Sequence, residues 1–178
     1  MTKIITITAG HSDTDPGACN GKVTEASIAA ELRNIIVHYV REAGIATRTD
    51  GTGQGNLPLK TAIQLIKGAN IALEVHCNAA ANKTAGGVEA LAPVKYKEIC
   101  AKICAAIADV MGNKVRGSDG GWKSESSGQH SRLGYVSGGG IVLETFFISN
   151  DAELQIWNEK KWLIGKAIAQ ALIAHVKE

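Results

Sequence analysis

Ile4-Ile5-Thr6-Ile7-Thr8-Ala9-Gly10-His11 reads as a short buried strand that stops at a glycine and is followed by a histidine. It is too short for a helix and rich in β-branched residues. The next six residues, Ser12-Asp13-Thr14-Asp15-Pro16-Gly17, are dense in turn formers. Open α/β sheets place their chemistry on loops at the C-terminal ends of strands. His11 therefore marks a candidate site, and the strand before it a candidate member of such a sheet.

Outward from this stretch, strand and helix patterns alternate, which argues for an α/β layer fold. Residues 24 to 43 carry apolar positions at Ile28, Leu32, Ile35, Ile36, Tyr39, Val40 and Ala43, the stripe of a core-facing helix. Gly44 stands where a helix commonly ends. A strand is expected at 45 to 49, then a glycine-rich loop at 50 to 56. A helix beginning at Pro58 is expected to run to about Lys67. Ile71 to Val75 read as a buried strand delivering His76-Cys77-Asn78. Val88 to Ala92 read as another strand, followed by a helix over about 94 to 111. Residues 112 to 131, with five serines and several glycines, read as a functional loop. Leu133 to Val136 is expected as a short strand. Ile141 to Leu143 reads as a strand ending at Glu144, and two helices are expected over about 150 to 157 and 159 to 176.

The chain has 178 residues, enough for one domain with a substantial core. Its formal charge of +2 gives no support for nucleic-acid binding driven by net charge. No apolar run approaches the roughly 20 residues of a membrane span. Met1-Thr2-Lys3 leads straight into a strand, without the apolar run or cleavage site of a signal peptide. Synthesis in the cytoplasm without a signal peptide is thus expected, unless the sequence is that of a mature form. Cys100 and Cys104 lie beside the stripe Ile99, Ile103, Ile107 and Val110, the setting of buried free thiols. No further zinc ligands stand near them.

Three strands deliver groups that ligate or titrate: His11, His76 and Glu144. Glu25 opens the first long helix on the side of its buried stripe, three residues before Ile28. If the strands are parallel neighbours, all four groups gather at one edge of the sheet. Each has a bland reading too. Glu25 suits the positive end of a helix dipole, and the histidines could be hydrogen-bonded groups at strand ends. Glu144 is harder to explain that way, because Ile-Val-Leu precedes it and Thr-Phe-Phe follows. A carboxylate in an apolar run is costly without a partner or a raised pKa. Two imidazoles and a carboxylate suit catalytic zinc, which keeps a position open for water. His11, Glu25 and His76 would supply that set and Glu144 the base. The H-E-x-x-H helix motif is absent. His38 lies on the polar face of its helix, His175 borders a buried face, and His130 sits in the Gly/Ser loop.

At these residues the chain resembles the zinc-dependent N-acetylmuramoyl-L-alanine amidases of the amidase-3 type. The matching pieces, in order, are Ala-Gly-His-Ser-Asp-Thr-Asp-Pro-Gly-Ala (9 to 18), Glu25, Glu-Val-His-Cys-Asn-Ala (74 to 79), Gly-Gly-Val-Glu-Ala (86 to 90) and Val-Leu-Glu-Thr-Phe-Phe-Ile-Ser-Asn (142 to 150). The family often has Gly-His-Gly, whereas Ser12 follows His11 here. An arginine common before the Ala69-Asn70 pair is replaced by lysines at 60 and 67. The resemblance implies a single catalytic domain over 1–178, with a twisted, mostly parallel, mixed sheet of about six strands and helices on both faces. It implies one Zn2+ per chain on His11, Glu25 and His76, and a catalytic Glu144. The substrate implied is peptidoglycan, glycan strand and stem peptide, cut between N-acetylmuramic acid and L-alanine. Asn78 is a candidate for orienting substrate or ligand. The small single-domain format resembles phage endolysins that act on the cell wall in the periplasm, and a monomer is expected. Two other readings remain open at this point: a zinc carboxypeptidase on the stem peptide, and a non-catalytic peptidoglycan-binding relative.

Overall fold

The computed structural model describes residues 2–124 and 133–178. Its centre is a six-stranded sheet in the order β4-β1-β5-β8-β6-β7. These strands are β1 (Ile4–Ala9), β4 (Ala46–Arg48), β5 (Ile71–Asn78), β6 (Glu89–Leu91), β7 (Trp122–Lys123) and β8 (Ile141–Phe147). β4, β1, β5 and β8 run parallel, β6 lies antiparallel to β8, and β7 is parallel to β6. A small hairpin, β2 (Cys19–Asn20) with β3 (Val23–Thr24), stands apart from it.

The two faces of the sheet differ because side chains alternate along each strand. Ile5, Ile7, Ile71, Leu73, Val75, Ile141 and Leu143 belong to the larger core. Over them pack α1 (Glu25–Glu42), α3 (Lys97–Met111) and α5 (Asp151–Lys177). The opposite face carries a smaller cluster of Ala72, Leu91 and Val142 beneath α2 (Leu59–Ile66) and α4 (Gly134–Ser137), with Ala62, Tyr135 and Val136 packed on it. Helices thus cover both faces of a single α/β domain. From β1 the chain crosses through α1 to β4 on one side, then through α2 to β5 on the other. The C-terminal end of β1 is therefore the point where the winding reverses, and a crevice opens there.

Several sequence expectations are corrected. The terminal segment is one helix of 27 residues, α5, with no break near residue 158. Asn150 caps it by accepting from the backbone N–H groups of Ala152 and Glu153. Leu133 to Val136 is not a strand. Gly134–Ser137 forms a helical turn, α4, that lays Tyr135 and Val136 on the small cluster. A short apolar run does not distinguish the two. β8 does not end at Glu144 but continues to Phe147, so Glu144 lies inside a strand paired on both edges. Part of the 112 to 131 loop is ordered into the sheet: Val115 bridges to Val88 and β7 adds an edge strand. The cysteines are free, with Cys77, Cys100 and Cys104 buried and Cys19 exposed. No helix among the described residues is long and apolar enough to cross a membrane.

α1 and α5 cross closely at Gly165. A Cβ there would stand 2.3 Å from Ile35 Cγ2. A side chain at 165 gains helix propensity, worth under about 1 kcal/mol against glycine, but overpacking a dense core costs about 1–3 kcal/mol. Gly165→Val is therefore expected to destabilise the protein, read as a lower urea midpoint with an unchanged m-value.

Candidate metal centre

β1 delivers His11 in a left-handed conformation, φ +66°, and among the described residues it is the one non-glycine with positive φ. Such a conformation costs an L-residue about 1–2 kcal/mol, so the surroundings must impose it. Its effect is to turn the imidazole back toward the start of α1. Thr24 caps that helix, its Oγ1 accepting from Ser27 N at 3.2 Å. Glu25, the first helical residue, is buried.

One carboxylate then meets both imidazoles. Glu25 Oε2 lies 3.0 Å from His11 Nε2, and Glu25 Oε1 lies 3.0 Å from His76 Nδ1. The ligand-capable atoms of His11, Glu25 and His76 all fall within 4.8 Å of one another. Backbone donors fix the same carboxylate, Ala18 N at 3.1 Å on Oε2 and Cys77 N at 3.0 Å on Oε1. Each histidine also has an outer carboxylate. His11 Nδ1 lies 3.0 Å from Asp15 Oδ2, and His76 Nε2 lies 3.1 Å from Glu74 Oε1. Holding the outer nitrogen as N–H leaves the inner nitrogen's lone pair for a metal.

The donor set fits zinc. Bonds of about 2.0–2.2 Å place neighbouring tetrahedral ligands about 3.4 Å apart, close to the two contacts of 3.0 Å. Charge points the same way, because several carboxylates crowd two neutral-pH imidazoles. Burial works against a charged His76, but hydrogen bonds to Glu25 and Glu74 outweigh it and raise its pKa to about 10. The hydrogen bond to Glu25 raises His11 too, against burial. Burial would raise Glu25, yet its bonds to both imidazoles hold it far below the usual carboxylate range. Protons shared among these groups supply the positive charge that the site demands. A metal ion would displace them.

Glu144 stands across β5 and β8 from His76 in register, with Glu89 of β6 on its other side. It is buried, and its Oε2 has no hydrogen-bond partner among the described residues. Burial pushes its pKa up to about 7, with the charge of His76 opposing and Glu25 and Glu89 adding to the rise. Glu89 is held differently. Its burial is outweighed by Lys123 Nζ at 2.8 Å and Arg116 Nε at 2.6 Å, so its pKa falls. Asn78 Nδ2 donates to Glu89 Oε1 at 2.9 Å. His11, Glu25, Glu74, His76, Asn78 and Glu144 line one cavity of about 480 Å³. Its other wall is apolar: Pro58, Leu59, Leu133, Tyr135 and Val142.

The structure thus brings His11, Glu25, His76 and Glu144 into one cleft. His38 is exposed beside Glu42 and His175 is partly buried on α5, both away from that cleft. His130 lies outside the described residues. Sequence reading missed Glu74, Glu89, Asp15 and the cations on Glu89. The period of two in β5 did carry a signal for Glu74, which shares a face with His76 and Asn78.

A family profile described as N-acetylmuramoyl-L-alanine amidase matches residues 5–174. A crystal structure from Neisseria meningitidis, itself an N-acetylmuramoyl-L-alanine amidase by provisional assignment, is 50% identical with a TM-score of 0.90. The match covers 98% of this chain and 96% of that one. The catalytic domain of the amidase CwlV from Bacillus (Paenibacillus) polymyxa var. colistinus shares the fold at 18% identity and a TM-score of 0.84, with 99% of each chain covered. The catalytic domain of an endolysin targeting Clostridia difficile shares it at 22% identity and 0.77, with 97% of each covered. No curated protein matches the sequence at a significant level. A sheet with helices on both faces and a crevice of imidazoles and carboxylates at the switch point makes this a protein of the α/β layer class. The chain belongs to the N-acetylmuramoyl-L-alanine amidase family.

Gly10 makes room for this centre. A Cβ there would stand 2.2 to 2.4 Å from three atoms of the His76 ring. Gly10→Ala is expected to push that ring off Glu25 while the fold persists. Imidazole NMR of His76 reads the change, and an unaltered His76 signal would contradict the geometry.

Proposed function

We propose that the chain is a zinc-dependent N-acetylmuramoyl-L-alanine amidase. His11, Glu25 and His76 would hold the ion and Glu144 would serve as general base and acid. The observation that carries this reading is the meeting of two imidazoles on one buried carboxylate, with the unpartnered Glu144 Oε2 in the same cavity. Zinc bound there would lower the pKa of a water and polarise the scissile carbonyl.

The chain's own residues do the rest. Asp15 and Glu74 hold the outer imidazole nitrogens and so fix ring orientation. Glu144 takes a proton from the attacking water, whose oxygen bonds to the lactyl carbonyl carbon of N-acetylmuramic acid. As the C–N bond breaks, Glu144 returns a proton to the leaving nitrogen of L-alanine. Burial opposes the charge on this carboxylate, which favours its taking up a proton from water. The apolar wall opposite gives the cleft a surface for the uncharged parts of the substrate. Loss of stem peptides removes the cross-links of the wall, and we extend the reading to lysis by an endolysin acting in the periplasm, on the resemblance given above.

Digestion of purified peptidoglycan tests the bond assignment. New N-terminal L-alanine is expected, whereas loss of terminal D-alanine would identify a carboxypeptidase and no new end a binding relative. Metal analysis of the pure protein should give about one zinc per chain, lost in His11→Ala. Glu144→Gln should keep its zinc and lose about 10²- to 10⁴-fold in kcat. The ionised carboxylate is the active form, so kcat/KM should rise with pH along an acid limb. With burial alone that limb would centre near 7, and a bound cation moves it lower. A profile flat from pH 4 to 8 would count against Glu144 as the base.

A further inference from the structure

We infer that Asn56, clamped by Arg33 and Asp50, is the positioning residue that holds His11 in its ligand geometry. The inference rests on the metal reading above and concerns the glycine-rich loop 50 to 56, to which that reading gives no role.

The argument begins with the backbone. His11 sits at φ +66° with no glycine to ease it. β1 ends at Ala9, and although Gly10 N still donates to the Val75 carbonyl at 2.8 Å, the carbonyls of residues 9 to 11 need donors from outside the sheet. Asn56 supplies the missing donors. Its Nδ2 lies 3.0 Å from the carbonyl oxygen of Ala9, 3.1 Å from that of Gly10 and 2.9 Å from that of His11. Two N–H bonds are shared among three consecutive carbonyls. The Asn56 backbone closes the loop from the other side: its N–H donates to Asp13 Oδ1 at 2.8 Å. The side chain and backbone of Asn56 together hold both flanks of His11.

The orientation of the Asn56 amide is itself fixed. Arg33 Nη1 donates to Asn56 Oδ1 at 3.2 Å, which obliges Nδ2 to face the carbonyls. Arg33 is fully buried, and its donors also reach Asp50 Oδ1, Asn34 Oδ1 and the carbonyls of Gly53 and Gly55. Asp50, also fully buried, accepts from Ala9 N at 3.1 Å. Arg33, Asp50 and Asn56 thus grip residues 9 to 11 by one N–H and three carbonyls. Buried polar groups this completely satisfied confer a single geometry. None of the three lines the cavity that holds His11, His76 and Glu144.

Asn56→Asp replaces the donor by an acceptor with almost no change of size. Zinc affinity is measured by competition with a chromogenic chelator, folding by urea denaturation, and His11 directly by its imidazole NMR signals in metal-free protein. The expected result is a folded variant with zinc bound about 10- to 100-fold more weakly and altered His11 signals, but unaltered His38 and His175. Gln54→Ala, on the same loop and exposed, should match the parent in all three. If Asn56→Asp does not fold, Asn56→Ala takes its place. Zinc affinity within twofold of the parent together with unmoved His11 signals would overturn the inference. If the parent itself takes up no zinc, the metal reading fails, and the His11 signals alone still decide whether Asn56 positions that ring.

Discussion

The Glu25 carboxylate accepts from four directions: two imidazoles, the N–H of Ala18 and the N–H of Cys77. Those partners come from the loop after β1, from the approach to α1 and from β5. Without that carboxylate, two histidines that arrive 65 residues apart would face each other with nothing between them. A buried carboxylate is tolerable only when hydrogen-bonded or paired, and this one has every acceptor position used. Its place at the first turn of α1, where unpaired N–H groups favour negative charge, adds to that tolerance. The core stripe of α1 sets where its N-terminus lies, so the packing of Ile28, Leu32 and Ile36 indirectly sets the centre.

The second organising fact is a change of character along one face of the sheet. α2 and α4 lie over Ala72 and Val142, the early residues of β5 and β8 on that face. Further along the same face come Glu74, His76, Asn78 and Glu144, together with Glu89 from β6. Alternation along a strand is usually a matter of inside against outside. Here, on a single face, the strands run from a small apolar cluster into a row of titratable groups. Glu89 in that row is anchored by two cations while Glu144 beside it makes no ion pair among the described residues, and the difference separates their pKa values in opposite directions. Carboxylates in neighbouring positions with divergent environments are how one site obtains distinct protonation states.

Much of this was legible beforehand. Hydrophobic periodicity located α1 to within a residue at each end, and the alternation of elements gave the layer class. The odd placement of Glu144 between Ile-Val-Leu and Thr-Phe-Phe flagged it for chemistry, though the strand continues past it. The number of strands was not in the periodicity and came only through resemblance, and their order is read from the structure alone. Long-range partners were illegible for a physical reason. Arg33 sits between Leu32 and Asn34 on a helix where an arginine is ordinarily solvated, and only the fold shows Asp50 and Asn56 waiting for it. Likewise the break expected between two C-terminal helices is bridged, because packing on α1 and α3 outweighs the polar run Asn158-Glu159-Lys160-Lys161.

The position of Glu144 within β8 has a consequence for how the molecule comes apart. β8 is flanked by β5 and β6, and its backbone bonds lie in the middle of the sheet. Such bonds open only with the whole domain, whereas loop contacts open locally at far lower free energy. His11 hangs from a loop, held by side chains, while His76 and Glu144 ride on central strands. On warming, the half of the centre on the β1 loop is the part free to loosen, and the carboxylate on β8 keeps its place until the core itself melts. Warming would thus undo the support of His11 before it exposes the hydrophobic interior.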